Sequence, residues 1–184
     1  MSGRLRPASS GTERGRRHFS CARRRSRPSA DRCPTRPAGP TFEAWNEAVW
    51  QKHRARDGVR LARAYDGDAL VGFAYGYTGQ RGQWWTDNAA RVLEADVADA
   101  WLGGHFELVS LGLLEGARRA GIGRGLLHAV VNGIEHERLL LMATSDATDP
   151  ARRLYDSEGW RVIGPGIGEG AIIMGKRTDE PTSA

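Results

Sequence analysis

The sequence predicts an α/β fold, a central mixed sheet covered by helices. Three observations lead there. Apolar runs with period-two alternation take turns with stretches of helical spacing; the two closest to the middle follow each other as strand, helix, strand, helix; and residues 41–184 hold no cysteine framework or long low-complexity segment that would suggest another architecture. At 184 residues and 40% hydrophobic, the chain has material for one buried core.

From Thr41, "TFEAWNEAVWQKHRA" sets Phe42, Trp45, Val49 and Trp50 on one helical face, and Gly58 ends the segment. "VRLARAYDGDALVGFAYGYTG" reads as a hairpin turning at Asp66-Gly67. A single helix is expected over "TDNAARVLEADVADAW", capped by Thr86 or Asp87, with Val92, Leu93, Val97 and Trp101 facing inward. "HFELVSLGLL" is a strand. "GIGRGLLHAVVNGIEHE" is a helix with Ile122, Leu126, Val130 and Ile134 on its inner face. "LLLMAT" is a short buried strand, "DPARRLYDSEG" a helix with Pro150 in its first turn and Gly159 at its end, and "WRVIG" and "AIIMGK" close as strands.

Residues 1–40 differ in kind. They carry eleven arginines against Glu13 and Asp31, a balance of +9; the whole chain is +5, so residues 41–184 stand at −4. The basic character belongs to this segment, which speaks against a nucleic-acid surface on the body. Rich in Arg, Ser and Pro, it lacks the apolar surface to offset ordering and is expected to be disordered. An arm for an anionic partner, a targeting segment and translated sequence upstream of the true start are the open readings. Cys21 and Cys33 lie here, twelve positions apart, and give little ground for a metal site or a disulfide. No apolar run is long enough for a signal peptide or membrane span, so a cytoplasmic protein is expected. The expected division is residues 1–40, a folded domain over 41–178, and a short tail over 179–184.

The chemistry concentrates in "EGARRAGIGRGLL", residues 115–127, where a strand hands over to a helix. A helix N-terminus offers unpaired N–H groups and the positive end of the dipole. Gly121 and Gly123 remove side chains that would hold a phosphate off, while Arg118, Arg119 and Arg124 add charge. A pyrophosphate suits such a loop. A P-loop reading fails because no lysine lies between Lys52 and Lys176. A dinucleotide fingerprint fails because Leu126 stands where its third glycine belongs, and the next strand ends in Met142, Ala143 and Thr144 without an acid.

Arg118-Arg119-Ala120-Gly121-Ile122-Gly123 matches the pattern Gln/Arg-x-x-Gly-x-Gly/Ala, with "ELVSLGLL" before it and "LYDSEGW" about thirty residues after. On these residues the chain resembles the GCN5-related N-acetyltransferase (GNAT) superfamily over Arg60 to Lys176. The resemblance implies an acyltransferase that passes an acetyl group from acetyl-CoA to an amine, needing no metal, with the loop cradling the pyrophosphate. It further implies that Leu111, Gly112 and Leu113 pair their backbone with the pantetheine arm, the Leu113 N–H polarising the thioester carbonyl. Tyr155 matches the family's proton donor to the departing thiolate. Asp149 stands where the family often has an asparagine, and before Pro150 it also suits a helix cap. The central strand often supplies a base; Glu107 is the first candidate and His105 the second. Trp84 and Trp85 lie where the family tends to build its acceptor pocket, or else anchor the core. His53, His128 and His136 are expected on helices, facing solvent. The family's usual first strand has no convincing counterpart before Thr41, so that strand is expected to be missing or altered. A homodimer is compatible with the resemblance. The competing function class is a CoA-binding protein without acceptor chemistry, or an anion binder working through residues 1–40.

Overall fold

The computed structural model describes residues 46–178. Residues 1–40, with Cys21 and Cys33, lie outside the described residues, as do Thr41, Phe42, Trp45 and the tail beyond residue 178. A widened helical turn, Asn46–Trp50, runs into α1 (Gln51–His53). The hairpin β1 (Arg60–Asp66) and β2 (Ala69–Gly79) follows, then α2 (Trp84–Val92), α3 (Ala95–Trp101) and β3 (His105–Leu113). After a single tight turn, Glu115–Ala117, come α4 (Ile122–Val131), β4 (Arg138–Thr144), α5 (Pro150–Ser157), β5 (Arg161–Pro165) and β6 (Ala171–Arg177).

These strands form one mixed six-stranded sheet in the order β1-β2-β3-β4-β6-β5, in which β3 and β4 are the parallel neighbours. Alternation along the strands splits the core in two. Phe106, Leu108, Leu139, Leu141 and Met174 turn toward Leu126, Leu127 and Val130 of α4 and Tyr155 of α5. Leu140 and Ile173 turn the opposite way, toward Trp85, Ala89, Leu93, Ala98 and Leu102 on and beside α2 and α3.

Three boundaries differ from the periodic reading. The register pairs Asp66 with Ala69, so the hairpin turns at Gly67-Asp68, one residue later than expected. The single helix expected after Thr86 is two: Leu93 leaves α2 in an extended conformation (φ −81°, ψ 150°) and drops into the second core, and the chain restarts at Ala95. Neither Thr86 nor Asp87 caps it; α2 begins at Trp84 behind Gln83. α4 stops at Val131, because Asn132 is extended, and Ile134 reaches the core from outside the helix. In the two helical cases, burial of Leu93 and Ile134 overrode the local 3.6-residue pattern.

Leu127 is 1% exposed at the centre of the contact between α4 and the sheet. Leu127→Ala is expected to cost about 2–5 kcal/mol in urea unfolding; a loss under about 1 kcal/mol would contradict this packing.

Candidate functional site

β3 and β4 stay paired at Phe106–Leu139 and Glu107–Leu140. Beyond those residues β4 continues along β6 as far as Thr144, and β3 continues along β2 as far as Leu113, so the two strands part. A bulge marks the same place: Gly76 faces Leu108 and Tyr75 faces Ser110, leaving Val109 extra on β3. Successive N–H groups of an extended strand point to opposite sides. The Leu114 N–H donates to Val71 O of the neighbouring β2 segment at 2.9 Å. The N–H groups of Leu113 and Leu111 therefore point away from β2, into the gap, while that of Gly112 points toward β2.

The gap leads to the Gly/Arg loop. Ala117 and Arg118 donate to Leu114 O and Glu115 O, and the next backbone donor with an acceptor is Gly125, on Gly121 O at 3.0 Å. Among the described residues the N–H groups from Arg119 to Arg124 have no backbone acceptor, and they gather at the positive end of α4. Arg119 (φ 64°) and Gly121 (φ 78°) are both left-handed. A non-glycine residue held there costs of order 1–3 kcal/mol, and such strain gathers at ligand sites. The two glycines have different reasons. At Gly121 a Cβ would meet open space, so the constraint is the positive φ. At Gly123 a Cβ would stand 3.3 Å from Leu113 Cδ1 and 3.5 Å from Leu154 Cδ2, so its absence lets α4 lie close to β3 and α5. Arg118, Arg119 and Ala120 are exposed, and neither arginine enters an ion pair among the described residues. Arg124 instead reaches Glu158 and Ser157 at the end of α5, and His128 bonds the other Glu158 oxygen at 2.6 Å.

On α5, Asp149 Oδ1 accepts from the N–H groups of Ala151 (2.8 Å) and Arg152 (3.1 Å), an N-cap that fixes where the helix starts. Tyr155, two turns in, is buried against Trp160. Burial, and then the charge of Asp149, push its phenol up to about 12, so it keeps its proton at neutral pH. No hydrogen bond engages its hydroxyl among the described residues.

The opposite face of β3 carries His105 and Glu107, side by side in alternation and both buried. Glu107 Oε1 accepts from the Tyr77 hydroxyl at 3.3 Å; Oε2 is buried without a partner among the described residues. Burial raises this carboxyl to about 7 against the pull of Arg56 and Tyr77. His105 accepts the Gly103 N–H on Nδ1 at 3.1 Å, and burial, followed by Arg138, pushes it down to about 3, leaving the ring neutral. The two tryptophans separate: Trp85 is buried beside His105, while Trp84 is 66% exposed.

Several contributors are not singled out by the sequence. Tyr77 holds Glu107, Arg56 lies over the Tyr77 ring with Cζ 4.4 Å from its centroid, and His53 Nδ1 shares a hydrogen bond with the Tyr75 hydroxyl at 3.1 Å. The histidines expected at solvent are engaged. His53 is half-buried, His128 meets Glu158, and His136, which lies past the end of α4, bonds Thr78 Oγ1 at 2.9 Å. Alternation in "FAYGY" was the one available signal, since it puts Phe73, Tyr75 and Tyr77 on one side. Among the described residues no helix is long and apolar enough to cross a membrane.

The profile of the acetyltransferase (GNAT) family matches residues 24–160. A GCN5-like protein acetyltransferase of Mycobacterium tuberculosis is 33% identical over 101 residues, which are 51% of this chain and 49% of that protein; the chain thus spans about half the length of this curated relative. Among solved structures, an acetyltransferase from Thermus thermophilus superposes with a TM-score of 0.54 at 18% identity, covering 75% of each chain. The yncA protein of Salmonella typhimurium, solved with its cofactor acetyl-CoA, does so with 0.52 at 18% identity over 79% of each. These two likenesses concern the fold.

Glu107 provides a pH test. Its folded pKa of about 7 lies above its ordinary 4.5, so between those values the folded protein keeps a proton that the unfolded chain has released. Stability should therefore fall as pH rises through that window, by roughly 2–3 kcal/mol between about pH 5 and pH 8, and Glu107→Gln should be spared that fall in urea unfolding. Parallel pH profiles for the two proteins would show that Glu107 is not buried as an acid.

Proposed function

The chain belongs to the acetyltransferase (GNAT) family, and we propose that it passes an acetyl group from acetyl-CoA directly to an amine, without a covalent enzyme intermediate. The observation that carries this reading is the parting of β3 from β4, which leaves a free backbone edge running from Glu107 toward the unpaired N–H groups of the loop. An extended thiol arm ending in a pyrophosphate fits that combination: a row of strand donors, then an anion site. Acetyl-CoA supplies a thioester whose thiol is the leaving group. The Salmonella neighbour, described with that cofactor, supports the choice of acyl donor.

In this reading the backbone of Leu111 and Leu113 lines the arm, Gly112 being turned to β2 instead, and Arg118 to Gly123 receive the pyrophosphate. Arg124, paired with Glu158, leaves Arg118 and Arg119 as the arginines of the loop without an ion pair among the described residues. The acceptor arrives as an ammonium and must lose a proton before it can attack. Glu107 takes that proton, and a carboxyl poised at about 7 is well matched to the task at neutral pH. His105, held near 3, is far weaker as a base. Of the two gap-facing N–H groups of β3, that of Leu111, four residues from Glu107 where Leu113 is six, is the better suited to bear the charge that gathers on the carbonyl oxygen as the C–N bond forms. Tyr155 gives its proton to the sulfur as the C–S bond breaks. Asp149, whose Oδ1 is committed to the cap, serves by fixing the start of the helix that presents Tyr155.

Tyr155→Phe keeps the ring and removes the donor. Single-turnover acetyl transfer should slow by about 10²–10⁴-fold with acetyl-CoA affinity unchanged; equal rates would return Tyr155 to packing. Gly121→Val, which places a branched side chain at positive φ in the anion site, should weaken acetyl-CoA binding at least about tenfold by calorimetry. Undiminished affinity in a folded variant would remove the loop from the site.

A further inference from the structure

Arg56 follows α1 and is half-buried. One of its guanidinium nitrogens donates to Gln83 Oε1 at 2.7 Å, and Gln83 is itself oriented by its amide nitrogen donating to Thr78 O at 3.3 Å. The guanidinium is thus fixed over the face of Tyr77, while the hydroxyl at the tip of the same ring donates to Glu107. One tyrosine carries a cation on its face and the candidate base at its end.

Three other half-buried arginines have hydrogen-bond acceptors, whereas Arg177, over the Trp101 ring at 5.0 Å, has none among the described residues. Arg60 bonds the carbonyls of Ala129 and Asn132, Arg138 those of Ala100 and Gly103, and Arg152 the carboxylate of Asp156. Arg56 enters no ion pair among the described residues, and its hydrogen-bond partner is a neutral amide. A guanidinium offers five N–H donors in a rigid fork shaped for a carboxylate. Partly desolvating it without a counter-charge is costly, unless an anion arrives in the working state. The acid that feels its charge is Glu107, which burial holds up to about 7, so that at neutral pH this carboxyl supplies only part of a counter-charge. Burial, with Arg56 and Lys52, keeps His53 neutral, and Tyr75 and Tyr77 retain their protons. Beside this pair lies an aromatic wall: Phe73 stacks on Tyr75 at 6.4 Å between centroids, and Trp50 meets Tyr75 edge-on at 5.3 Å.

We propose that the acceptor is a free amino acid with an apolar side chain, its amine held at Glu107, its carboxylate held by Arg56, and its side chain against Phe73 and Tyr75. The separation of the two charged groups by about one tyrosine ring suits an amine and a carboxylate on neighbouring atoms. This rests on the acetyltransferase reading above, since Glu107 has a base's role only there.

The test uses matched pairs of probes with the full chain: L-phenylalanine against phenethylamine, and L-methionine against 3-(methylthio)propylamine, with a lysine-containing peptide as a third kind of acceptor. The expected kcat/KM for each amino acid exceeds that of its decarboxylated partner by about 10- to 100-fold, the worth of a charge-assisted pair. In Arg56→Gln that ratio should fall toward one, chiefly through KM, while acetyl-CoA affinity measured by calorimetry stays as in the wild type. A ratio near one in the wild type would overturn the proposal, as would an unchanged ratio in the variant or acetylation of the peptide alone. Acetyl-CoA binding without turnover of either pair also sinks the acceptor assignment and leaves the cofactor site standing; absence of acetyl-CoA binding sinks the acetyltransferase reading itself.

Discussion

Two parallel strands that pair for two residues and then part are the constraint on which the rest of this structure depends. Had β4 stayed against β3 beyond Leu140, the N–H groups of Leu111 and Leu113 would end in the sheet ladder, and the loop that follows would close over a continuous surface. The bulge at Val109 bends β3 at the point of separation, and β6 holds β4 to its own course. Strand donors left unpaired inside a domain are costly, so a fold that keeps them has a partner for them. The same strand then delivers the chain to the N-terminus of α4, where a further set of N–H groups lacks acceptors. Edge and loop make one continuous run of backbone donors.

The sheet also sorts the chemistry. Tyr155 belongs to the core between the sheet and α4, Glu107 to the opposite face, and the gap is where the two faces communicate. Burial acts on both, with different results. It strengthens the phenol's hold on its proton, so the hydroxyl stays intact at neutral pH, and brings the carboxyl to about 7, where both its forms are populated. His105, two residues from Glu107 and equally buried, is driven the other way, because burial disfavours the charged form of a base. Neighbouring positions on one strand thus shift in opposite directions through the sign of their charge.

Much of this was legible in the sequence wherever the cause is local. A left-handed glycine before a helix, an aspartate-proline start to a helix, and alternation along a strand are set by a few adjacent residues, and they located the loop, α5 and the faces of β3. The family resemblance rested on those same residues. What the sequence hid depends on distant partners. Nothing near Leu93 announces that it leaves a helix; the second core draws it out. Arg56, His53 and Tyr77 become one cluster because α1 and the turn after it pack on β2, with partners 22 to 30 positions apart. Gly123 was legible as a glycine of the loop, but its reason, contact with Leu113 and Leu154, needs three elements in place at once.

One claim supports all the others: the free edge of β3 and the N-terminus of α4 bind a single molecule of acetyl-CoA. Amide hydrogen exchange of the full chain, with and without saturating acetyl-CoA, tests it most directly. The N–H groups of Leu111, Leu113 and the stretch from Arg119 to Gly123 should exchange markedly more slowly when acetyl-CoA is present, with α2 and α3 unaffected. Protection confined to other elements, or to the loop without the strand, would contradict it.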